Sequence, residues 1–181
     1  YKDVNDIGMT VQGQTTARVT PFGFVMESGK VLNAPNRAFG LVQMASWSNA
    51  QTKQEVSTGY IDLRYSAVNF TPKFSDSIII YEFNWTHSWK DTHGIGHYRI
   101  YKDGAHQTVW DTSIGGDNLA GRFHHGARFD SWGAGVTQQI KMLFRDYGAN
   151  NEVWAHATQY WDGGGTDRNS GSWGRVMEWR G

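Results

Sequence analysis

Three histidines close together, His87, His93 and His97, are the densest set of side chains in this chain that could ligate a metal. They fall in the aromatic segment 85–97, and three loop imidazoles can converge on zinc or nickel. Copies of one such histidine could also meet on a threefold axis. The spacing matches neither a two-histidine helical pair nor a Cys/His finger, so polar loop histidines are the plainer reading. His124 and His125 are consecutive, and in a strand they would point to opposite faces, leaving at most one inward.

Carboxylates are the next candidates. Asp111, Asp117, Asp130, Asp146, Asp162 and Asp167 all sit in loop-like segments, and a pair about 5–10 Å apart can hydrolyse a glycoside. Aspartate at turns is equally expected for backbone reasons, because its side chain hydrogen-bonds the local main chain. Asp117-Asn118 and 162–167 offer oxygen ligands for calcium but do not follow the twelve-residue loop pattern. No Gly-x-Ser-x-Gly elbow occurs, and Gly163-Gly164-Gly165 is not followed by Lys-Ser/Thr and a helix, which excludes a phosphate loop. The absence of cysteine excludes disulfides, thiolate metal sites and thiol nucleophiles. No catalytic residue, metal site or cofactor is therefore assigned, and a non-enzymatic protein is expected.

Aromatic side chains are the better functional signal. Nine Trp, eight Tyr and nine Phe make 14% of the chain, more than one small core needs. Trp89, Trp110, Trp132, Trp161 and Trp173 lie in or near polar, glycine-rich stretches. There an indole can stack on a sugar or a partner protein. Trp89, Trp132, Trp161 and the acceptor Asp162 are the expected receptor or glycan contacts. The bland alternative is that these tryptophans close the ends of the fold or line a subunit contact.

Seventeen basic and seventeen acidic residues balance to zero, so charge favours neither nucleic acid nor an anionic membrane. No apolar run approaches the roughly 20 residues of a membrane span. Twenty-two glycines against three prolines suit many tight turns.

Helical periodicity is almost absent, whereas strand signals recur. The segments 37–44, 60–70 and 136–145 read as strands, the last two by alternation. Residues 77–85 form the strongest strand, with the continuous apolar start expected of a central strand covered on both faces. Residues 97–102 and 105–110 flank Asp103-Gly104, the best short-range hairpin signal. A strand over 151–161, a loop over 162–171 and a strand over 172–179 complete the pattern. In the last of these Trp173, Met177 and Trp179 share a face broken only by Arg175. A terminal apolar strand of this kind pairs inside a closed sandwich or against a partner subunit. Eight to ten antiparallel strands at hairpin-like spacing predict an all-β jelly-roll sandwich over 34–181. Residues 1–33, short and glycine-broken, read as an N-terminal arm or neck that gains its burial from other chains.

Four segments, in order, resemble the trimeric TNF/C1q-like jelly-roll heads of tailed-phage fibres. They are Gly29-Lys30-Val31-Leu32-Asn33-Ala34-Pro35-Asn36-Arg37-Ala38-Phe39, Phe70-Thr71-Pro72-Lys73-Phe74-Ser75-Asp76-Ser77-Ile78-Ile79-Ile80, Arg99-Ile100-Tyr101-Lys102-Asp103-Gly104 and Val176-Met177-Glu178-Trp179. The resemblance spans about residues 29–181; the tryptophan content and segment 86–96 depart from it. It implies a homotrimeric virion structural protein on a tail or capsid fibre. Such a protein would dock other virion proteins through 1–33 and meet a host-surface glycan or protein at its free end, with neither nucleic-acid binding nor membrane insertion. A capsid decoration protein without receptor role and a monomeric carbohydrate-binding lectin are the competing readings. For the trimer interface the aromatic and polar mixture of 152–161 and 136–144 is expected, with Trp154, His156, Tyr160 and Gln138 at the contact. Threefold copies can satisfy each other's polar groups.

Overall fold

The computed structural model describes residues 7–11, 14–20, 23–26, 40–49, 52–89, 95–115, 121–130, 132–148, 153–158 and 168–180; residues before 40, Trp89 and 168–169 are described in backbone alone. The chain divides into two compact units, 1–37 and 38–181. In the first, β1 (Ile7–Val11), β2 (Gln14–Thr20) and β3 (Gly23–Met26) form an antiparallel meander. Its short segments pair with one another, Val19 lying opposite both Ile7 and Phe24.

The second unit is an antiparallel sandwich. One sheet holds β4 (Gly40–Asn49), β5 (Gln54–Val56), β8 (Ile78–Trp89), β12 (Gly121–Phe129), β14 (Val153–Ala155) and β17 (Ser172–Arg180). The other holds β6 (Ile61–Asp62), β7 (Val68–Phe70), β9 (Ile95–Lys102), β10 (Ala105–His106), β11 (Thr112–Gly115) and β13 (Gln138–Asp146). A short ladder joins β15 (Ala157–Thr158) to β16 (Arg168–Asn169).

Asn84 of β8 faces His124 of β12 on one side and Trp173 of β17 on the other, while β4 flanks β17. The first sheet thus reads β4-β17-β8-β12, with β14 and β5 extending the β17 side beside the end of β8. The second reads β11-β9-β13-β7, with β10 and β6 sharing the outer positions. By order along the chain these are positions first-eighth-third-sixth and fifth-fourth-seventh-second. Two interleaved Greek keys of this kind make a jelly roll. Among the described residues no helix is long and apolar enough to cross a membrane.

The core lies between the sheets. Ile79, Tyr81, Phe83 and Trp85 of β8 meet Tyr98 and Ile100 of β9 and Ile140, Met142 and Phe144 of β13, all fully buried. Alternation in each strand puts these side chains on one face, as a period of two requires. Trp85 packs on Tyr98 at 4.8 Å between ring centroids, and Tyr98 stacks on Phe144 at 5.8 Å. The Tyr81 hydroxyl donates to the Ser66 carbonyl at 2.7 Å, so its polar end is satisfied inside.

Several elements differ from their sequence reading. The single strand expected over 60–70 is two short ones, because Tyr65 takes φ 61° and Ser66 Oγ binds the Leu63 carbonyl and the Met142 N–H instead of continuing a ladder. Asp103 and Gly104 make the expected hairpin turn, both with positive φ. The strand after it ends at His106, and Thr108–Trp110 turns into one 3₁₀ segment. β8 runs through Trp89, into the segment 86–96 that departs from the resemblance, and Thr112–Gly115 forms β11. The first family-like segment, 29–39, lies outside the described residues.

Two other family-like segments meet in space. Glu178 of β17 is fully buried and accepts from the backbone N–H of Lys73 and of Phe74, each at 2.9 Å, from Ser77 Oγ at 2.6 Å and from Gln43 Nε2 at 2.7 Å. Burial alone would raise its pKa; the bonds from Ser77, Lys73, Phe74 and Gln43 outweigh that and hold the carboxyl below its ordinary value. This carboxylate ties the 71–77 turn to the last strand, and its saturated oxygens leave it a structural anchor.

Candidate functional site

Paired residues of neighbouring strands share a face, so the register fixes what the first sheet shows outward. Ser172, Gly174, Val176 and Glu178 point into the sandwich, opposite Phe83, Tyr81 and Ile79 in alternation. Trp173, Arg175, Met177 and Trp179 therefore point out. The apolar face recognised in the sequence exists, but it is the outer one. Gly174 is where this matters most: a Cβ there would come within 2.3 Å of the Trp47 ring, which lies across β17 on the inner side.

At one end of this outer face Met177 sits between Ile80 and Met44, and Trp179 between Ile78 and Leu41. Leu41 and Met44 are 48% and 53% exposed, and Ile78, Ile80 and Trp179 are half-buried. At the other end the face turns polar. Arg175 pairs with Glu82, His124 lies 3.7 Å from the same carboxylate, and Trp173 stacks on His124 at 6.0 Å. Asn84 Oδ1 beside them is buried without a hydrogen-bond partner. β4 is an edge strand of ten residues, none of them buried, whose far edge pairs with nothing among the described residues. Such an edge is a template for further pairing. Thus β8 is central in its sheet as expected, yet among the described residues of its unit it is covered on one face only.

The outer face of the second sheet is polar and aromatic. His97 and Arg99 of β9 and Arg145 of β13 project from it, Arg145 and His97 being direct register partners. The guanidinium carbons of Arg99 and Arg145 lie 4.1 and 4.9 Å from the centroid of the Tyr60 ring. Arg145 Nη2 donates to His97 Nδ1 at 3.3 Å, and Asp111 lies 3.6 Å from Arg99 Nε and 2.7 Å from His106 Nε2. Burial, Arg145 and Arg99 push the His97 pKa below its ordinary value against the opposing pull of Asp111, so His97 is neutral at pH 7.

The expected site residues are distributed differently. Trp132 is 1% exposed, wedged edge-on against Phe70 and Phe129, so its ring has no free face for a ligand. Trp161, Asp162 and Tyr160 lie outside the described residues, and Trp89 is described in backbone alone. Trp154 and His156, expected at a subunit contact, are 3% and 0% exposed within the single chain, and Lys53 Nζ caps the Trp154 ring at 4.0 Å. They have no area to offer a neighbour. His156 takes φ 67°, which ends β14 and aims the ring inward beside Phe83 and Tyr65. Gln138 is half-buried in register with Phe70, on the inner side of the second sheet. Of the contact expected along 136–144 and 152–161, Trp154 and His156 therefore present no surface, and Tyr160 lies outside the described residues.

A shared metal for the loop histidines is also overturned for two of them. His87 points inward from β8, its Nδ1 2.6 Å from the Tyr98 hydroxyl, and burial pushes its pKa down to about 3. His97 points outward from the other sheet, and His93 lies outside the described residues. His124 and His125 do face opposite ways: His124 is exposed on the outer face, while His125 turns in to bond the Trp110 carbonyl at 2.8 Å. Among the described residues no three metal-ligating side chains cluster. Sequence reasoning missed Tyr60, Arg99 and Arg145; the signal that could have found the arginines is the outward phase of β9 and β13, where both alternate with the buried core residues.

No protein-family model matches the chain, and no curated protein matches it in sequence. Among solved structures it is similar, with a TM-score of 0.40 and 13% identity, to a chain of the infectious bursal disease virus Gx strain. The likeness covers 96% of this chain and 47% of that one, so the chain spans less than half the viral chain's length.

Proposed function

We propose that this protein is a non-enzymatic virion structural protein, a homotrimeric jelly-roll head of the kind carried on tailed-phage tail or capsid fibres. The observation that carries the proposal is the apolar outer face on which Leu41 and Met44 stand exposed beside the half-buried Ile78, Ile80 and Trp179, over the buried Met177, with an edge strand beside it that is open among the described residues. Large exposed apolar patches on a soluble domain mark association surfaces. Leu41 and Met44 are about half exposed, so burying what remains contributes about 0.7–1.5 kcal/mol each on association. The adjoining Arg175–Glu82–His124 cluster and the unpaired Asn84 Oδ1 supply the polar rim that a specific contact needs. Closed rotational symmetry lets three identical faces cover one another without leaving an edge to propagate. The strand order of the two sheets is compatible with the resemblance to TNF/C1q-like heads. Residues 1–33 would connect the head to other virion proteins, and a host-surface glycan or protein would be met elsewhere on the head.

The test is the mass in solution by native mass spectrometry or light scattering. Three times the 20.4 kDa chain mass is expected. A monomer across the micromolar range would overturn the assembly reading and favour a lectin-like module.

A further inference from the structure

The outer face of the second sheet carries a groove of about 290 Å³ whose lining includes Tyr60, His97, Arg99, Asp111 and Ser113, with Arg145 alongside. Its charge is unbalanced. Asp111 faces Arg99 and His106, whereas Arg145 has no ion pair among the described residues and meets only Tyr60, His97 and the ring of Tyr147. The Nε atoms of both Arg99 and Arg145 are buried and without a hydrogen-bond partner, and Asp111 at 3.6 Å is beyond hydrogen-bonding reach of Arg99 Nε. Two guanidinium groups held against one tyrosine ring have already lost much of their side-chain freedom, so an incoming anion need not order them. Because Arg145 donates to His97 Nδ1, the neutral imidazole carries its proton on Nε2, which makes that atom a donor as well.

We infer that this groove binds an acidic saccharide, a sugar bearing one carboxylate and free hydroxyls. The carboxylate answers the Arg145 and Arg99 guanidinium groups, where bidentate charge-assisted hydrogen bonds are strong. The hydroxyls answer Asp111 and Ser113. Tyr147, 63% exposed and packed against His97 at 4.9 Å, offers a ring face at the rim for the sugar ring to lie on. Asp111 is what separates this ligand from a phosphate or sulfate cluster: a carboxylate in the groove repels a dense anion but accepts from a hydroxyl. The inference deepens the host-glycan part of the proposed function and does not depend on the trimer.

The experiment uses the full chain, with N-acetylneuraminic acid and galacturonic acid as probes, galactose and N-acetylglucosamine as neutral controls, and sodium sulfate as a plain anion. Binding is read by saturation-transfer NMR and calorimetry, with the mass and circular dichroism recorded on the same samples. At least one acid sugar should bind, neutral sugars should not, and Arg145→Ala should weaken binding by about tenfold or more, as loss of a charge-assisted pair implies. Arg145→Lys should recover part of it, and Asp111→Asn should weaken the sugar while strengthening sulfate. Failure of both acid sugars to bind at millimolar concentration overturns the inference, as does sulfate binding as tightly as the sugars. So does indifference of binding to Arg145→Ala in a protein whose spectrum and mass are unchanged. None of these outcomes touches the assembly reading, which stands or falls on the mass alone.

Discussion

The two outer faces of the sandwich are built from the same strand alternation and differ in what they offer. On the first sheet the outward positions at one end of β17, β8 and β4 are filled by Trp, Met, Ile and Leu, for which water is a poor partner. On the second sheet the outward positions of β9 and β13 carry, besides Ile95 and Leu143, the polar or amphipathic side chains of His97, Arg99, Tyr101, Gln139, Lys141 and Arg145. An apolar face of this breadth is stabilised by covering it with protein, and a groove lined by oriented donors is suited to a small polar ligand. On the proposed reading, assembly falls to one side of the molecule and recognition to the other.

The strongest way to break that assignment is to exchange the insults. Leu41→Glu with Met44→Glu should convert the proposed trimer largely to monomer, since like charges would face each other across a desolvated contact. The double variant should leave the circular dichroism and the acid-sugar affinity near their original values. Arg145→Ala should do the reverse. If the charged pair of substitutions leaves the trimer intact, the apolar face is not the contact.

A smaller effect should separate the scaffold beneath the apolar face from the face itself. Glu178→Gln would place an amide NH₂ among the donors Lys73 N, Phe74 N, Ser77 Oγ and Gln43 Nε2. Gln43 cannot turn its amide to compensate without losing its 2.8 Å bond to the Thr71 carbonyl. A loss of about 2–4 kcal/mol in unfolding free energy is expected, read from urea denaturation, with the groove's affinity unchanged in the protein that remains folded. Unaltered stability would mean that this anchor contributes little.

The mildest effect is one of pH. His87 and His156 are buried in the neutral form, with burial pushing their pKa values down to about 3 and about 4. At His156 the Arg64 backbone opposes the shift and the Arg64 side chain adds to it, while neither ring nitrogen makes a hydrogen bond of normal geometry. The unfolded chain takes up protons below about pH 6.5 that the folded chain refuses, so stability falls as pH drops from there. Between pH 6.5 and 5.5 the two groups together should remove roughly 2 kcal/mol. The depressed Glu178 carboxyl adds to the loss only at lower pH, as the medium passes down through the carboxylate range. His156→Asn, which tolerates the positive φ, should flatten the slope. An unchanged slope would place the acid sensitivity elsewhere.

Much of the fold is legible in the residues themselves. Alternation in 136–145 and 172–179, the Asp103-Gly104 turn and the apolar run at 77–85 each report a local constraint, since side-chain period and turn φ are properties of a few neighbouring residues. The same locality explains the misreadings. The 60–70 segment alternates like one strand, but a tertiary bond from Met142 N to Ser66 Oγ breaks it. Trp132 sits in a polar, glycine-rich stretch and still fills the core, because the neighbours that bury it, Phe70 and Phe129, are distant in sequence or across a turn. His156 reads as a polar residue on a contact strand, and its positive φ turns it inward.

The sequence by itself determined that the protein is all-β, that β17 has one apolar face and that β8 is central, because periodicity and composition are written residue by residue. Only the tertiary structure decided which way those faces point. Register with β8 sends Val176 and Glu178 inside and Trp173, Met177 and Trp179 outside. A shift of one residue in pairing would have reversed them, and no count of apolar residues within a strand can tell the two registers apart. The meeting of Tyr60, Arg99, Asp111 and Arg145 has the same origin: it arises from the pairing of β9 with β13 and from the connections that bring Tyr60 and Asp111 alongside, which no local spacing records.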